Sequence, residues 1–357
     1  MAKLTNVLIA DDIEQECVDH LRKNNIDTKL PKDELIAQLK QHDAVIVRSA
    51  TKLTAEILDA SAGRLKLIGR AGTGVDNIHV PTASKHKILV MNTPQGNSRS
   101  AAELTSILLV SLSRQVPQAH SSMKAGKWAR KDFMGEEMFG RTLAIIGLGR
   151  IGREVAVRLQ AWGMRVVAFD PLVSTEVGPR AAPGITMARQ AKIRARTYKT
   201  FAMCCNKTTS PLSRAFDAKS IGVELLTLEQ IWPIADYITV HVPLIPATEN
   251  LINAQVLAKC KKGVRIVNVA RGGIVNEEDL VAALDAGQVA GAAFDVFREE
   301  PPVYRGIVDH PRVICTPHLG ASTIDAQVRV ATEIAENFVA FSEDKGTPGA
   351  INAKDVL

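Results

Sequence analysis

The stretch Thr142-Leu-Ala-Ile-Ile-Gly147-Leu-Gly149-Arg-Ile-Gly152 decides the architecture. LAIIG (143–147) is a short apolar run of strand type, and residues 150–162 read as a helix. Between them lies a G-x-G-x-x-G pattern, which alone is a weak signal because glycine-rich turns are common. Its context is strong. It joins a strand to a helix, and Asp170 stands at the end of the next strand, VVAF (166–169). That is the dinucleotide fingerprint. Gly147 permits a tight turn, Gly149 lets the backbone approach a pyrophosphate, and Gly152 lets helix and strand pack closely. The helix N-terminus offers unpaired N–H groups and the positive end of its dipole. Asp170 suits hydrogen bonds from ribose hydroxyls and repels a 2′-phosphate, so NAD is expected over NADP. Pro171 follows it, where an arginine would have served NADP.

Outward from this stretch, strand-like runs alternate with amphipathic ones. VLIA (7–10), AVIV (44–47), LKLIG (65–69) and ILVM (88–91) precede it, with helical patterns near 13–23, 32–40, 54–61 and 77–84. A long helix is expected over 100–112. YITV (237–240), VRIVNV (264–269), AGAAFDV (290–296) and VICT (313–316) follow, with helices near 227–235, 253–260, 276–286 and 322–342. Such alternation predicts α/β architecture with parallel sheets covered by helices. At 357 residues the chain is long enough for two domains of about 100–200 residues each.

Composition excludes several classes. Apolar residues make up 46% and charged residues 23%, which argues against disorder of the whole chain. No apolar run reaches the ~20 residues of a membrane span, and the N-terminus lacks a secretory signal pattern. Five cysteines, an odd number, fit a reducing, cytoplasmic setting. No metal site is expected, since histidines and cysteines are scattered and Cys204–Cys205 is not a ligand spacing.

The net charge of +6 suggests nucleic acid until its distribution is examined. Segment 178–219 holds nine basic residues and one acid, Asp217, so the rest of the chain is slightly acidic. A nucleic-acid partner is therefore not expected. The segment has no sustained period and interrupts an ordinary strand-to-helix connection. It reads as a poorly ordered surface insertion, with a basic arm for an anionic partner and an artefact of gene prediction as alternatives.

A second constellation follows the later strands. Asn268-Val-Ala-Arg271-Gly-Gly273, Asp295-Val-Phe-Arg-Glu-Glu300-Pro and Thr316-Pro-His318-Leu-Gly320 each begin at a strand's carboxyl end, the edge where open α/β sheets bind ligands. Taken singly, each has a plain structural reading: Arg271 as a surface charge, Glu300 as a capping or loop carboxylate and His318 as a satisfied loop histidine. Together they suit hydride transfer at a hydroxy acid. Arginine grips a carboxylate, histidine exchanges the hydroxyl proton, and glutamate orients the imidazole and raises its pKa.

With these residues in view, the chain resembles the D-isomer-specific 2-hydroxyacid dehydrogenases. The resemblance runs from Val7 to about Ala353, outside 178–219. It rests on VRSATKLT (47–54), GRAGTGVDNI (69–78), MNTPQGNSRSAAEL (91–104), GLGRIGREVA (147–156), VNVARGGIVNE (267–277) and TPHLGAST (316–323).

The resemblance implies two doubly wound parallel-sheet domains. A flavodoxin-like substrate-binding domain comprises 1–98 and 319–357, and a Rossmann-type NAD-binding domain comprises 99–318. Closure of the cleft between them brings the reactants together and excludes water. The implied catalytic residues are Arg271, Glu300 and His318. The implied cofactor contacts are Thr73, Gly147, Gly149, Arg150, Ile151, Gly152, Asp170, Val242, Val269, Ala270, Arg271, Asp295, His318, Leu319, Gly320 and Ala321. Asp295 is expected to face the nicotinamide carboxamide, and Val242 stands where relatives often carry threonine. Arg48, Ser49, Arg70, Gly72 and Gly74 are the candidates for the substrate's phosphate or carboxylate.

The implied reaction is NAD-dependent oxidation of 3-phospho-D-glycerate to 3-phosphohydroxypyruvate, the entry to serine biosynthesis; GNSRSAAEL favours that branch. Alternatives are a glyoxylate or hydroxypyruvate reductase, a non-catalytic NAD-sensing scaffold like the corepressors of this fold, and an isoform inactivated by its insertion. A homodimer or homotetramer is expected from the helix beginning at Ser100 and the flanking MKAGKW (123–128). Many relatives continue into regulatory domains, so feedback by serine is not expected of a chain stopping at Leu357. The insertion's start, eight residues after Asp170, raises the expectation that it either loops harmlessly away or obstructs adenine binding.

Overall fold

The computed structural model describes residues 3–29, 35–61, 63–172 and 218–357. The basic segment 178–219 therefore lies outside the described residues, its final two positions apart. The chain divides into two compact units, Met1–Ser100 with Ala321–Leu357, and Ala101–Gly320.

The first unit carries a parallel five-stranded sheet of β1 (Asn6–Ile9), β2 (Asp27–Lys29), β3 (Ala44–Val47), β4 (Leu67–Arg70) and β5 (Leu89–Asn92), in the order β2-β1-β3-β4-β5. β3 is buried along its whole length, as a strand covered on both faces must be. Leu67 and Leu89 pack into one layer with helix Ile324–Ser342, while Ile68 and Val90 pack into the opposite one. The period of two thus sorts neighbouring residues into separate cores.

The second unit carries β6 (Thr142–Ile146), β7 (Arg165–Phe169), β8 (Glu224–Leu225), β9 (Tyr237–Val240), β10 (Val264–Asn268), β11 (Val289–Phe294) and β12 (Val313–Cys315). All are parallel, in the order β12-β11-β10-β9-β6-β7-β8. The order reverses between β6 and β9, so the connections after these two strands leave toward opposite faces, which is where open α/β sheets have their ligand crevice. Leu143 and Ile145 face one core, Ala144 and Ile146 the other.

Several boundaries differ from expectation. The helix expected over 100–112 runs from Ser98 to Arg114. The one expected over 227–235 is a single turn, Leu228–Ile231, opened by a Thr227–Gln230 capping box and stopped before Pro233, which has no N–H to continue it. β2 and β8 were not anticipated; at three and two residues they are too short to show a period.

Phe338 is fully buried on helix Ile324–Ser342, and a Cβ on Gly69 would lie 2.3 Å from its ring. The glycine in β4 is the notch that seats the phenyl group. Phe338→Ala is expected to cost about 3–5 kcal/mol, read as a lowered urea midpoint, because the surrounding helix and sheet cannot collapse into the space.

Candidate active site

In the second unit, every candidate side chain stands just beyond a strand's carboxyl end. After β6, Gly147 has φ +99°, and a Cβ there would lie 2.7 Å from the His241 carbonyl oxygen. A Cβ on Gly152 would lie 2.2 Å from the Gly147 carbonyl oxygen, so helix Arg150–Ala161 can approach the strand only if this residue is glycine. Gly149 differs: a Cβ there would meet nothing within 4 Å, and no side chain caps the helix it begins. Open space in front of uncapped N–H groups fits a pyrophosphate.

Asp170, after β7, accepts hydrogen bonds from the N–H groups of Leu148 (2.8 Å, Oδ2) and Leu172 (2.9 Å, Oδ1). It ties the glycine-rich turn to the end of its own strand. Arg150 and Ile151 open the helix, and Val242 packs from the end of β9 against Gly147.

Asn268, fully buried at the end of β10, shapes the next turn. Its Nδ2 donates to the Arg271 carbonyl (2.8 Å) and its Oδ1 accepts from Ala270 N–H (3.0 Å). Val269, Ala270 and Arg271 are thereby held in one conformation. Arg271 Nη1 donates to the Ala270 carbonyl at 2.6 Å. A Cβ on Gly272 would lie 1.8 Å from the Phe297 carbonyl oxygen, so the arginine's turn is locked against the chain leading to Glu300. Glu277, also buried, accepts from Arg298 N–H (2.8 Å) and steadies that chain from below.

His318 and Glu300 form the reactive pair. His318 Nδ1 lies 2.7 Å from Glu300 Oε2, and Glu300 Oε1 accepts from Phe297 N–H (3.1 Å). The hydrogen bond to Glu300 is the chief reason the His318 pKa is raised; burial opposes it, as does the Arg271 charge, while the Glu300 and Asp295 charges add to it. Burial pushes the Glu300 carboxyl upward, but His318, Phe297 N–H and Arg271 outweigh it and hold the pKa below the ordinary value.

Asp295 is fully buried at the end of β11, and burial raises its pKa against the pull of its hydrogen bonds. Oδ1 accepts from Thr316 Oγ1 (2.5 Å) and Leu319 N–H (2.7 Å); Oδ2 accepts from Gly320 N–H (2.8 Å). Its backbone carbonyl accepts from His318 N–H at 2.8 Å. His318 sits at φ +53°, a left-handed conformation that a non-glycine residue adopts only when its surroundings impose it. Asp295, expected to face a cofactor amide, thus holds the turn carrying the histidine.

Arg48, Ser49, Arg70, Gly72, Thr73, Gly74 and Ala321 belong to the first unit. Arg48 and Ser49 follow β3, and Ser49 is exposed. The Arg48 guanidinium lies 3.4 Å from both the Asp12 carbonyl and Glu14 Oε1. Arg70 ends β4 and folds back over Gly72, where a Cβ would lie 1.5 Å from Arg70 Nη1. Thr73 Oγ1 donates to Asn97 Oδ1 (2.7 Å). The Ala71 N–H is committed to the Val47 carbonyl.

Asn268, Gly272, Glu277 and Thr316 were not singled out in sequence, although all four fall within or beside quoted stretches. The available signal was a polar or glycine residue directly after an apolar strand, where burial requires a defined partner. Among the described residues no His/Cys/Asp/Glu group is arranged to hold a metal, and no helix is long and apolar enough to cross a membrane.

The family model "D-isomer specific 2-hydroxyacid dehydrogenase, NAD binding domain" matches residues 106–196 and 184–320, two pieces that overlap within the basic segment. Among curated relatives, D-3-phosphoglycerate dehydrogenases of Rattus norvegicus and Homo sapiens are each 48% identical over 99% of this chain, and that of Bacillus subtilis 42% identical over 98%. The chain spans 59%, 59% and 58% of those relatives, respectively. Among solved structures, a glyoxylate reductase from Paecilomyes thermophila aligns with TM-score 0.78 at 25% identity, covering 99% of this chain and all of that one. A D-lactate dehydrogenase from Aquifex aeolicus, complexed with NAD and lactic acid, shares the fold with TM-score 0.74 at 24% identity, covering 95% of this chain and 96% of that one. The glycine-rich turn, the acid after β7 and the Arg–Glu–His set therefore stand on an NAD-binding domain, and the chain belongs to the D-isomer-specific 2-hydroxyacid dehydrogenase family.

Proposed function

We propose that this chain oxidises 3-phospho-D-glycerate to 3-phosphohydroxypyruvate, feeding serine biosynthesis. The observation that carries the reaction class is the 2.7 Å His318–Glu300 pair with the Arg271 charge acting on both partners. The choice of substrate is supported by the 48% identity to D-3-phosphoglycerate dehydrogenases.

NAD, when bound, supplies the acceptor for the hydride from the substrate's C2. The turn at Gly147–Gly152 with Arg150 and Ile151 is read as the pyrophosphate cradle and Asp170 as the ribose partner. Thr73, Val242, Val269, Ala270, Asp295 and His318–Ala321 complete the proposed cofactor site. Arg271 grips the substrate carboxylate and, in reverse, polarises the keto oxygen. With Nδ1–H donated to Glu300, the neutral His318 ring has its lone pair on Nε2, which takes the hydroxyl proton. The carboxylate then stabilises the imidazolium as it forms. Arg48, Ser49, Arg70 and the N–H groups of Gly72 and Gly74 are read as the substrate-anion site.

The chain is further read as a cytoplasmic homo-oligomer. Trp128 (76% exposed), Met134 (81%) and Phe139 (67%) support pairing with a second copy, since such large apolar side chains gain from being covered. The odd cysteine count supports the compartment.

NADH absorbance with the purified chain, NAD and 3-phospho-D-glycerate tests the function. Turnover is expected, falling about 10²–10⁴-fold in His318→Ala; absence of turnover while NAD still binds overturns the substrate or the enzyme reading. Arg271→Lys is expected to raise KM about tenfold or more, since a point charge replaces a fork.

Glu300→Gln carries a signed prediction. Oxidation needs neutral His318, so activity rises with pH through its raised pKa. Removing the carboxylate lowers that pKa, moving the acid limb of the kcat/KM profile to lower pH. In the reducing direction the protonated ring is the acid, so the alkaline limb also moves down. A profile whose midpoint stays in place would show that Glu300 does not set the histidine's pKa.

A further inference from the structure

We infer that Asp11 and Asn77 are positioning residues that brace the substrate-anion loop, an inference resting on the reading of Arg48 and Ser49 given above. The order β2-β1-β3-β4-β5 reverses between β1 and β3, so the connections leaving those strands depart to opposite faces and the loop after β3 stands at the switch point of the sheet. Asp11 follows β1 there. Its Oδ2 accepts from the N–H groups of Arg48 (2.5 Å) and Thr51 (3.2 Å), and its Oδ1 accepts from Thr51 Oγ1 (2.5 Å).

Asn77 completes the clamp from the other side. Its Nδ2 donates to the carbonyls of Arg48 (2.7 Å) and Thr51 (2.6 Å), spending both amide hydrogens on the same two residues. Asn77 is itself anchored, since its carbonyl accepts from Leu53 N–H (2.8 Å) and Leu53 and Ile78 form a parallel bridge. Arg48 and Thr51 are therefore held at both N–H and carbonyl. The intervening Ser49 and Ala50 are exposed at the tip, and among the described residues no partner takes the Ser49 N–H, the Ser49 hydroxyl or the Ala50 N–H. Three donors are thus presented to solvent beside an arginine, on a turn whose ends are tied.

The charge arrangement has a purpose in this scheme. A carboxylate near an anion site normally repels the anion. Asp11 instead spends its charge on three donors at the base of the turn, leaving the N–H groups and the Ser49 hydroxyl at the tip available to an anion. A tied loop binds without first losing its conformational freedom, which is the energetic content of preorganisation. Asp11 and Asn77 are assigned no contact with substrate; they act through residues 48–51.

The test uses the full chain with NADH present. The dissociation constant of 3-phospho-D-glycerate is measured by calorimetry, alongside its KM and kcat and the Ki of inorganic phosphate. Asp11→Asn and Asn77→Asp are expected to weaken substrate and phosphate binding about tenfold or more, with kcat within about twofold and NAD affinity unaltered. Thr51→Ser, which keeps the hydroxyl on Asp11, should match the parent, whereas Thr51→Val should follow Asp11→Asn. Unaltered substrate and phosphate binding in the Asp11 and Asn77 variants, with Ser49→Ala still weakening both, overturns the brace alone. Unaltered binding in Ser49→Ala and Arg48→Ala as well overturns the assignment of this loop to the substrate. A variant that loses NAD affinity or folded yield without the KM shift marks its residue as structural and counts against the inference.

Discussion

The contact between Gly152 and the Gly147 carbonyl is the constraint on which the NAD-binding unit depends. A side chain at 152 would overlap that oxygen, and its absence lets helix Arg150–Ala161 begin directly over the end of β6. The helix then aims its uncapped N-terminus past Gly149 into open space, at the point where the strand order reverses. Three glycines so close together do different work: one turns the chain, one leaves room for a ligand, and one leaves room for the protein itself.

Around this crevice the polar residues after each strand hold one another before they hold any ligand. Asn268 shapes the Arg271 turn, Gly272 locks that turn against Phe297, and Glu277 supports Arg298. Asp295 gathers Thr316, Leu319 and Gly320, leaving His318 in a left-handed conformation opposite Glu300. The reactive pair is therefore the exposed end of a buried hydrogen-bond network. Inside low-dielectric surroundings each of those bonds is costly to leave unmade, which explains why Asn268, Glu277 and Asp295 are buried there with partners.

Much of this was legible in residues alone. Buried parallel strands read as largely apolar runs, so β1, β3, β6, β7, β9 and β10 stood out with their boundaries nearly right. The edge strands β2 and β8 did not, because two or three residues cannot display a period. The catalytic candidates were legible as chemistry appearing where an apolar run stops. Their supports were less so: Asn268, Thr316 and Asn77 lay inside quoted stretches without a role, Asn77 at the start of an expected helix, and Asp11 was given no role at all.

The sequence by itself determined the class of architecture, the dinucleotide turn and the identity of the residues equipped for proton exchange and carboxylate binding. These are local properties, carried by periodicity, by glycine's freedom at one turn and by side-chain chemistry. Only the tertiary structure decided which oxygens are spent. It committed both Asp295 oxygens to the histidine's turn, folded Arg70 over Gly72, and gave Asp11 and Asn77 a shared task on the loop after β3. A hydrogen bond depends on distances between residues far apart in the chain, and those distances exist only once the sheets and helices have packed.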